Sequence, residues 1–261
     1  METVWITGAS SGIGEACALR WAAEGAKLVL TSHEPEKLEE VAAQCRAAGA
    51  PEVLVRPYDF RNPEGLEALA EEAWAAAGRI DILYLNAGIS QRTTVEDTPP
   101  QMNRLILEVN FFAPTTLARV IAAKMVAAGG GKIAVTTSIA GRFGFPLRCA
   151  YSASKHALYG WFETLSAEYY AQGLRVTFIC PGRVRTNISV NSLDKGGVPH
   201  GVMDPGQAGG ITPEKAARII VRGIRRSRRE VPVGSKELIM LPIKRFFPGL
   251  AARLSRRMKP M

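Results

Sequence analysis

Six apolar runs constrain this chain most, because none alternates with polar residues as a half-exposed strand does. They are TVWIT (3–7), AKLVLT (26–31), EVLVRPY (52–58), IDILYLNAG (80–88), GKIAVTTS (131–138) and LRVTFICPG (174–182). Continuous apolar strands are buried on both faces, which requires a parallel sheet with helices on each side. The stretches between them read as those helices: residues 15–25, 34–49, 62–78, roughly 99–128 with an interruption before Pro114, and 150–173. A further helix at 212–226 and a weak strand near EVPVG (230–234) follow. The pattern predicts one doubly wound α/β domain over 1–234, with ligands bound beyond the carboxyl ends of the strands.

Composition narrows the class. No run approaches the ~18 apolar residues of a membrane span, and a glycine motif beginning at Gly8 leaves no room for a signal peptide. Cys17, Cys45, Cys149 and Cys180 are far apart and form no metal-ligand pattern with the three histidines, so no metal is expected. They read as buried thiols of a reducing, cytoplasmic protein. Residues 222–261 hold 12 of the 33 Lys/Arg and only 2 of the 24 acids. The rest of the chain is therefore near neutral, and the overall charge of +9 reports on a tail rather than on the main site.

TGASSGIG (7–14) joins the first strand to the first helix. Gly8, Gly12 and Gly14 let the turn close, so that backbone N–H groups around Ile13 approach a pyrophosphate at the helix N-terminus. Ser10 and Ser11 add hydroxyl donors. At the end of the second strand an acid would hold a ribose 2′-hydroxyl and repel a 2′-phosphate. Ser32 and His33 stand there instead, and Ser32 does not repel a phosphate. His33 is a donor to one, while Glu34 suits a plain ribose if it turns inward. NADP(H) is favoured, with NAD(H) as the alternative.

With TGASSGIG, NAG (86–88), Asn110, Ser138, YSASK (151–155) and PG (181–182) in this order, the sequence resembles the short-chain dehydrogenase/reductase (SDR) family over roughly residues 3–233. The resemblance implies a Rossmann-type fold, a nicotinamide cofactor and hydride transfer between an alcohol and a ketone. It implies that Gly8, Gly12 and Gly14 form the cofactor turn and that Asp59 holds the adenine. Asn86, Ala87 and Gly88 would line the adenosine side, and Pro181, Gly182 and Thr186 the nicotinamide side. It also implies that Ser138, Tyr151 and Lys155 are catalytic and that Asn110 anchors a water relay. Homodimers or homotetramers are expected.

The chemistry explains the spacing. A free tyrosine titrates near ~10 and is a poor acid or base at neutral pH. Lys155, four residues on, shares a helix face with Tyr151, and a nearby cation shifts a group by ~1–3 units. Ser138, on a strand end, orients the substrate oxygen. A cofactor-sensing or scaffolding protein on the same fold is the alternative, but it has no use for an acid/base pair.

Phe143, Phe145, Leu147, Ile188, Val190 and Leu193 suggest an apolar wall for a hydrophobic alcohol or ketone, and 183–211 a mobile lid. Residues 235–261 form a basic amphipathic C-terminal extension. Leu250, Leu254 and Met258 make its apolar stripe. Residues 242–261 would rest on an anionic membrane, dock on the parent domain or cover a sister subunit. Without an aromatic stacking platform, no nucleic-acid binding is expected.

Overall fold

A computed structural model describes residues 1–257. Seven strands form one parallel sheet in the order β3-β2-β1-β4-β5-β6-β7. They are β1 (Thr3–Thr7), β2 (Lys27–Thr31), β3 (Val53–Val55), β4 (Ile82–Leu85), β5 (Gly131–Thr136), β6 (Leu174–Pro181) and β7 (Glu230–Val233). The helices are α1 (Gly12–Ala22), α2 (Pro35–Ala47), α3 (Leu66–Ala77), α4 (Pro100–Leu107), α5 (Ala113–Ala127), α6 (Cys149–Tyr169), α7 (Pro205–Ala208), α8 (Pro213–Arg225), α9 (Met240–Phe246) and α10 (Pro248–Arg257). The order of strands reverses between β1 and β4, which opens a crevice at their carboxyl ends.

The strands from β1 to β6 feed cores on both faces of the sheet, and β7 the first core alone. Val4 and Ile6 of β1 pack with α1, α2 and α8 on one face, while Trp5 packs with α3, α5 and α6 on the other. Both faces are covered, as continuous apolar strands require. The third strand is shorter than its apolar run, although Arg56 N and Tyr58 N still donate to Leu30 O and Ser32 O beyond it. The weak seventh strand is real and pairs with β6.

The region 99–128 is a single rod in which a wide π turn, Glu108–Phe112, joins α4 to α5. Pro114 has no N–H to give the carbonyl of Asn110, and the widened turn absorbs that gap. This rod is long and apolar enough to cross a bilayer, contrary to the expectation that no segment is. Its buried Ala113, Leu117, Ala118, Ile121 and Met125 belong to the second core, so it serves as a core helix.

The tail is not separate from the domain. Met240 and Ala251 are buried with Ile139, Phe143 and Cys180, and Leu241, Ile243 and Leu254 pack around them. The inward face of α10 is thus Ala251 and Leu254. Leu250 is 45% exposed, because the close contact is made through the small Ala251. Met258 lies outside the described residues. Phe143 and Phe145 are drawn into this third core, so they do not line the cleft as expected.

Phe162 is fully buried in the second core, whereas Phe246 is 68% exposed. Phe162→Ala is expected to cost about 3–5 kcal/mol through lost burial and a residual cavity. Phe246→Ala should stay within about 0.5 kcal/mol. Denaturant midpoints at constant m-value check both.

Candidate active site

A cleft of about 580 Å³ lies beyond the carboxyl ends of the central strands. It is lined by Gly8, Ser10, Ser11, Gly12, Ile13, Ser32, His33, Asp59, Asn86, Ala87, Gly88, Ser138, Tyr151, Lys155, Pro181, Gly182 and Thr186. Of the catalytic and cofactor-binding residues expected from the sequence, Gly14 and Asn110 are not on its wall.

The glycine turn is built for close backbone approach. A Cβ on Gly8 would lie 2.8 Å from the Ala87 Cα, and one on Gly14 would run into the Gly8 carbonyl and lie 2.8 Å from Asn86 Nδ2. Asn86 fixes this geometry. Its Nδ2 donates to the carbonyls of Thr7 and Gly8 (3.3 Å each), and its Oδ1 accepts from Tyr84 and Thr136 hydroxyls (3.2 Å each). Gly12 leaves 3.0 Å between its Cβ position and Thr186 Cγ2. Ser11 precedes α1 without a side-chain cap bond. Bare glycines and the first-turn N–H groups of α1 thus form a cradle that fits a pyrophosphate.

At the other end of the turn, Ser10 Oγ is 2.7 Å from Ser32 Oγ and donates to Glu34 Oε2 (2.9 Å). Glu34 also pairs with Lys37, and chiefly that contact holds its carboxyl below the usual range. Asp59 accepts from Arg61 Nη2 (2.5 Å) and Nε (2.9 Å), which lowers its own pKa. Arg61 lines the cleft with His33, although neither end of the second strand announced an arginine. Its signal in the sequence is its place two residues after Asp59.

Ser138 ends β5 in extended backbone; its Oγ accepts from Ala140 N (3.1 Å) and donates to Pro181 O (3.4 Å). Tyr151 is buried in the first turn of α6, where its N–H donates to Gln91 Oε1 (3.1 Å). Lys155 is buried one turn on, its Nζ donating to Thr136 O (2.8 Å) and lying 5.8 Å from the Tyr151 ring centroid. Gly141 permits this placement, since a Cβ there would sit 2.8 Å from the Lys155 carbonyl.

Burial pushes the Lys155 ammonium down to about 7 and pushes the Tyr151 phenol up. Ser138, followed by the guanidiniums of Arg148 and Arg92, works against the rise at Tyr151. The sequence assigned that role to Lys155. The arginines were missed, although both follow the carboxyl ends of strands, where ligands were expected.

Asn110 does something other than face the cleft. Its Oδ1 accepts from Ile89 N (2.8 Å), and its Nδ2 donates to Ile89 O (2.9 Å) and Ser154 Oγ (3.1 Å). It pins the strand end after Gly88 to α6. The expected apolar wall is supplied by Ile188 and Leu193 together with Ile89, Leu105 and Val109, and not by Leu147 or Val190. The 183–211 segment forms one side of the cleft but carries structure of its own. Leu193 bridges to Gln91 and Pro199, Val184 to Ile211, and Asp204 is bound by two arginines.

Comparison with known proteins agrees with this geometry. A family model of the short chain dehydrogenases matches residues 2–196. Dehydrogenase/reductase SDR family member 7B of Xenopus laevis is 35% identical over 98% of this chain and 83% of that protein. A Burkholderia phymatum SDR solved with NAD is similar over all of this chain and 96% of its own, at 25% identity and a TM-score of 0.83. A Thermococcus sibiricus alcohol dehydrogenase solved with 5-hydroxy-NADP covers 90% of this chain and 97% of its own, at 25% identity and a TM-score of 0.77. With its seven-stranded parallel sheet, its glycine cradle and its buried Tyr-Lys pair, the chain belongs to the short-chain dehydrogenase/reductase family of oxidoreductases.

Proposed function

We propose that this protein interconverts a hydrophobic ketone and its alcohol with NADP(H), using Tyr151 as the acid/base. The observation that carries this reading is the convergence of Ser138, Tyr151 and Lys155 on the cleft that also holds the glycine cradle. A nicotinamide cofactor, when bound, supplies or accepts the hydride. Tyr151 gives a proton to the carbonyl oxygen in reduction and takes it back in oxidation. Ser138 donates to the same oxygen and fixes its position. At neutral pH the raised phenol keeps its proton, the state that ketone reduction consumes. Lys155, when protonated, has three N–H donors and spends one on Thr136, so two remain for ribose hydroxyls and for favouring a phenolate. Ile89, Leu105, Val109, Ile188 and Leu193 exclude water from the reacting carbon. Asn110 acts as a positioning residue through Ile89 and Ser154.

The preference for NADP(H) rests on Ser32 in place of an acid, with His33 and Arg61 on the adenosine rim. Glu34 accepts from Ser10 and pairs with Lys37 on the same rim. A second reading adds contact with an anionic membrane surface. Ile239 (61% exposed), Phe246 (68%), Phe247 (63%) and Leu250 stand out from a tail that carries Lys244, Arg245, Arg253 and Arg256. An apolar face ringed by cations suits a lipid headgroup layer.

Three measurements follow. Tyr151→Phe should lower kcat by about 10²–10⁴-fold, the range of general acid–base catalysis, while cofactor Kd stays within about twofold; unchanged turnover in a ketone screen defeats the assignment. Arg61→Ala combined with His33→Ala should weaken NADPH binding about tenfold and NADH binding much less, as loss of charge-assisted contacts to a 2′-phosphate does. Flotation with phosphatidylserine vesicles should carry the wild type but not Phe246→Ser/Phe247→Ser, and equal behaviour removes the membrane reading.

A further inference from the structure

Arg92, Arg148 and Asp204 come from three separate loops and meet beside Tyr151. Arg92 follows β4, Arg148 directly precedes α6, and Asp204 directly precedes α7. Arg92 donates to Asp204 through Nη2 (2.5 Å) and Nε (3.4 Å), and Arg148 through Nη2 (3.0 Å). The side chains of Arg92 and Asp204 are only 4% and 7% exposed. Two guanidiniums therefore share one buried carboxylate, with the Arg148 side chain 22% exposed, and one positive charge is left in excess.

The two arginines differ in their spare capacity. Arg92 Nη1 is committed to Gln91 O (2.7 Å) and Ser90 Oγ (3.3 Å). Among the described residues Arg148 has no hydrogen-bond acceptor besides Asp204, and its Nε is buried without a partner. Both arginines line the cleft with Tyr151, whereas Asp204 does not. Burial, and then the Arg92 cation, work against the charge on Arg148 and lower its pKa. An anion in the cleft would relieve both effects.

We propose that the substrate carries an anionic group, a carboxylate or a phosphate, bound by Arg148 with Arg92 beside it, while its carbonyl faces Tyr151. This rests on the oxidoreductase reading above and names the substrate class of that same site. An arginine fork matches the geometry of either oxoanion. Ile89, Leu105 and Leu193 on the same cleft take a hydrocarbon body, so the substrate is an amphiphile with a ketone and a charged group. A buried cluster of this kind has another possible role, as a clasp that holds the 183–211 segment against α6. A clasp alone predicts the same loss for every substrate when it is broken.

The test compares ketones of equal chain length ending in a carboxylate, a phosphate monoester or a methyl ester, each assayed with NADPH and NADH. One anionic member should exceed the ester in kcat/KM by about 10–100-fold, the value of hydrogen bonds to a charged group; which anion wins identifies the source. Arg148→Gln should bring the anion-to-ester ratio near one, and Arg148→Lys, which keeps the charge without the fork, should retain part of it. The proposal is overturned if the wild type uses the ester as well as both anions, or if Arg148→Gln lowers all three alike. Either result leaves the oxidoreductase reading intact. Absence of turnover with every ketone would instead sink that reading. In that case calorimetry of a medium-chain carboxylate, phosphate monoester and alcohol against wild type and Arg148→Gln reads the anion site directly. No preference for the anions over the alcohol there overturns the proposal.

Discussion

The site depends on keeping an ammonium and a phenol out of water within one turn of α6. Desolvation opposes the charged form of each, so it drives Tyr151 and Lys155 towards neutrality. What makes the burial tolerable is a set of oriented partners. The Thr136 carbonyl accepts from Lys155, and Ser138 and two guanidiniums stand by Tyr151. These partners come from β5 and the loops beyond β4 and β5, which is why the chemistry needs the whole sheet and not the helix alone. Gly141 and Ser154 let α6 come close enough for this to happen: a Cβ on Gly141 would strike the helix, and Ser154 folds its hydroxyl back onto Tyr151 O (2.9 Å).

Much of this was legible in the sequence where a local rule fixes the outcome. Continuous apolar runs specify strands buried on both faces, and TGASSGIG has few uses between a strand and a helix. The spacing of Tyr151 and Lys155 places both on one helix face whatever surrounds them. What escaped notice depends on contacts between distant segments. Arg148 and Asp204 are 56 residues apart and Arg92 and Asp204 are 112 apart, and no periodicity links them. Phe143 and Phe145 are apolar residues in a loop after β5, equally suited to a cleft wall or a core. The arrival of α9 and α10 over that loop decided for the core. Similarly, Leu250 and Leu254 obey the same helical spacing, yet only Leu254 meets a partner, since the side of α10 that docks is set by the fold it docks on.

Asn110 acts on the cleft through the backbone it holds. Its amide satisfies both the N–H and the carbonyl of Ile89 and reaches Ser154 on α6. The π turn that presents it exists because Pro114 removes a donor from the rod. A backbone defect is thereby used to aim a side chain at the end of β4.

The two ends of the cleft follow different charge logic. At the adenosine end each cation already has a carboxylate: Arg61 with Asp59, and Lys37 with Glu34. Those pairs are solvent-exposed, so water screens them and they open at little cost. A phosphate there competes for a cation on nearly equal terms. At the other end Arg92 and Asp204 are shut away from solvent, and the carboxylate is shared by two guanidiniums. Removing such a charge from water is expensive, and the excess cation is not neutralised by the protein. The fold keeps this imbalance beside Tyr151, where the field of the same arginines also opposes the rise of the phenol's pKa. One uncompensated guanidinium thus sets the charge beside Tyr151: until an anion meets it, its field works against the rise of the phenol's pKa.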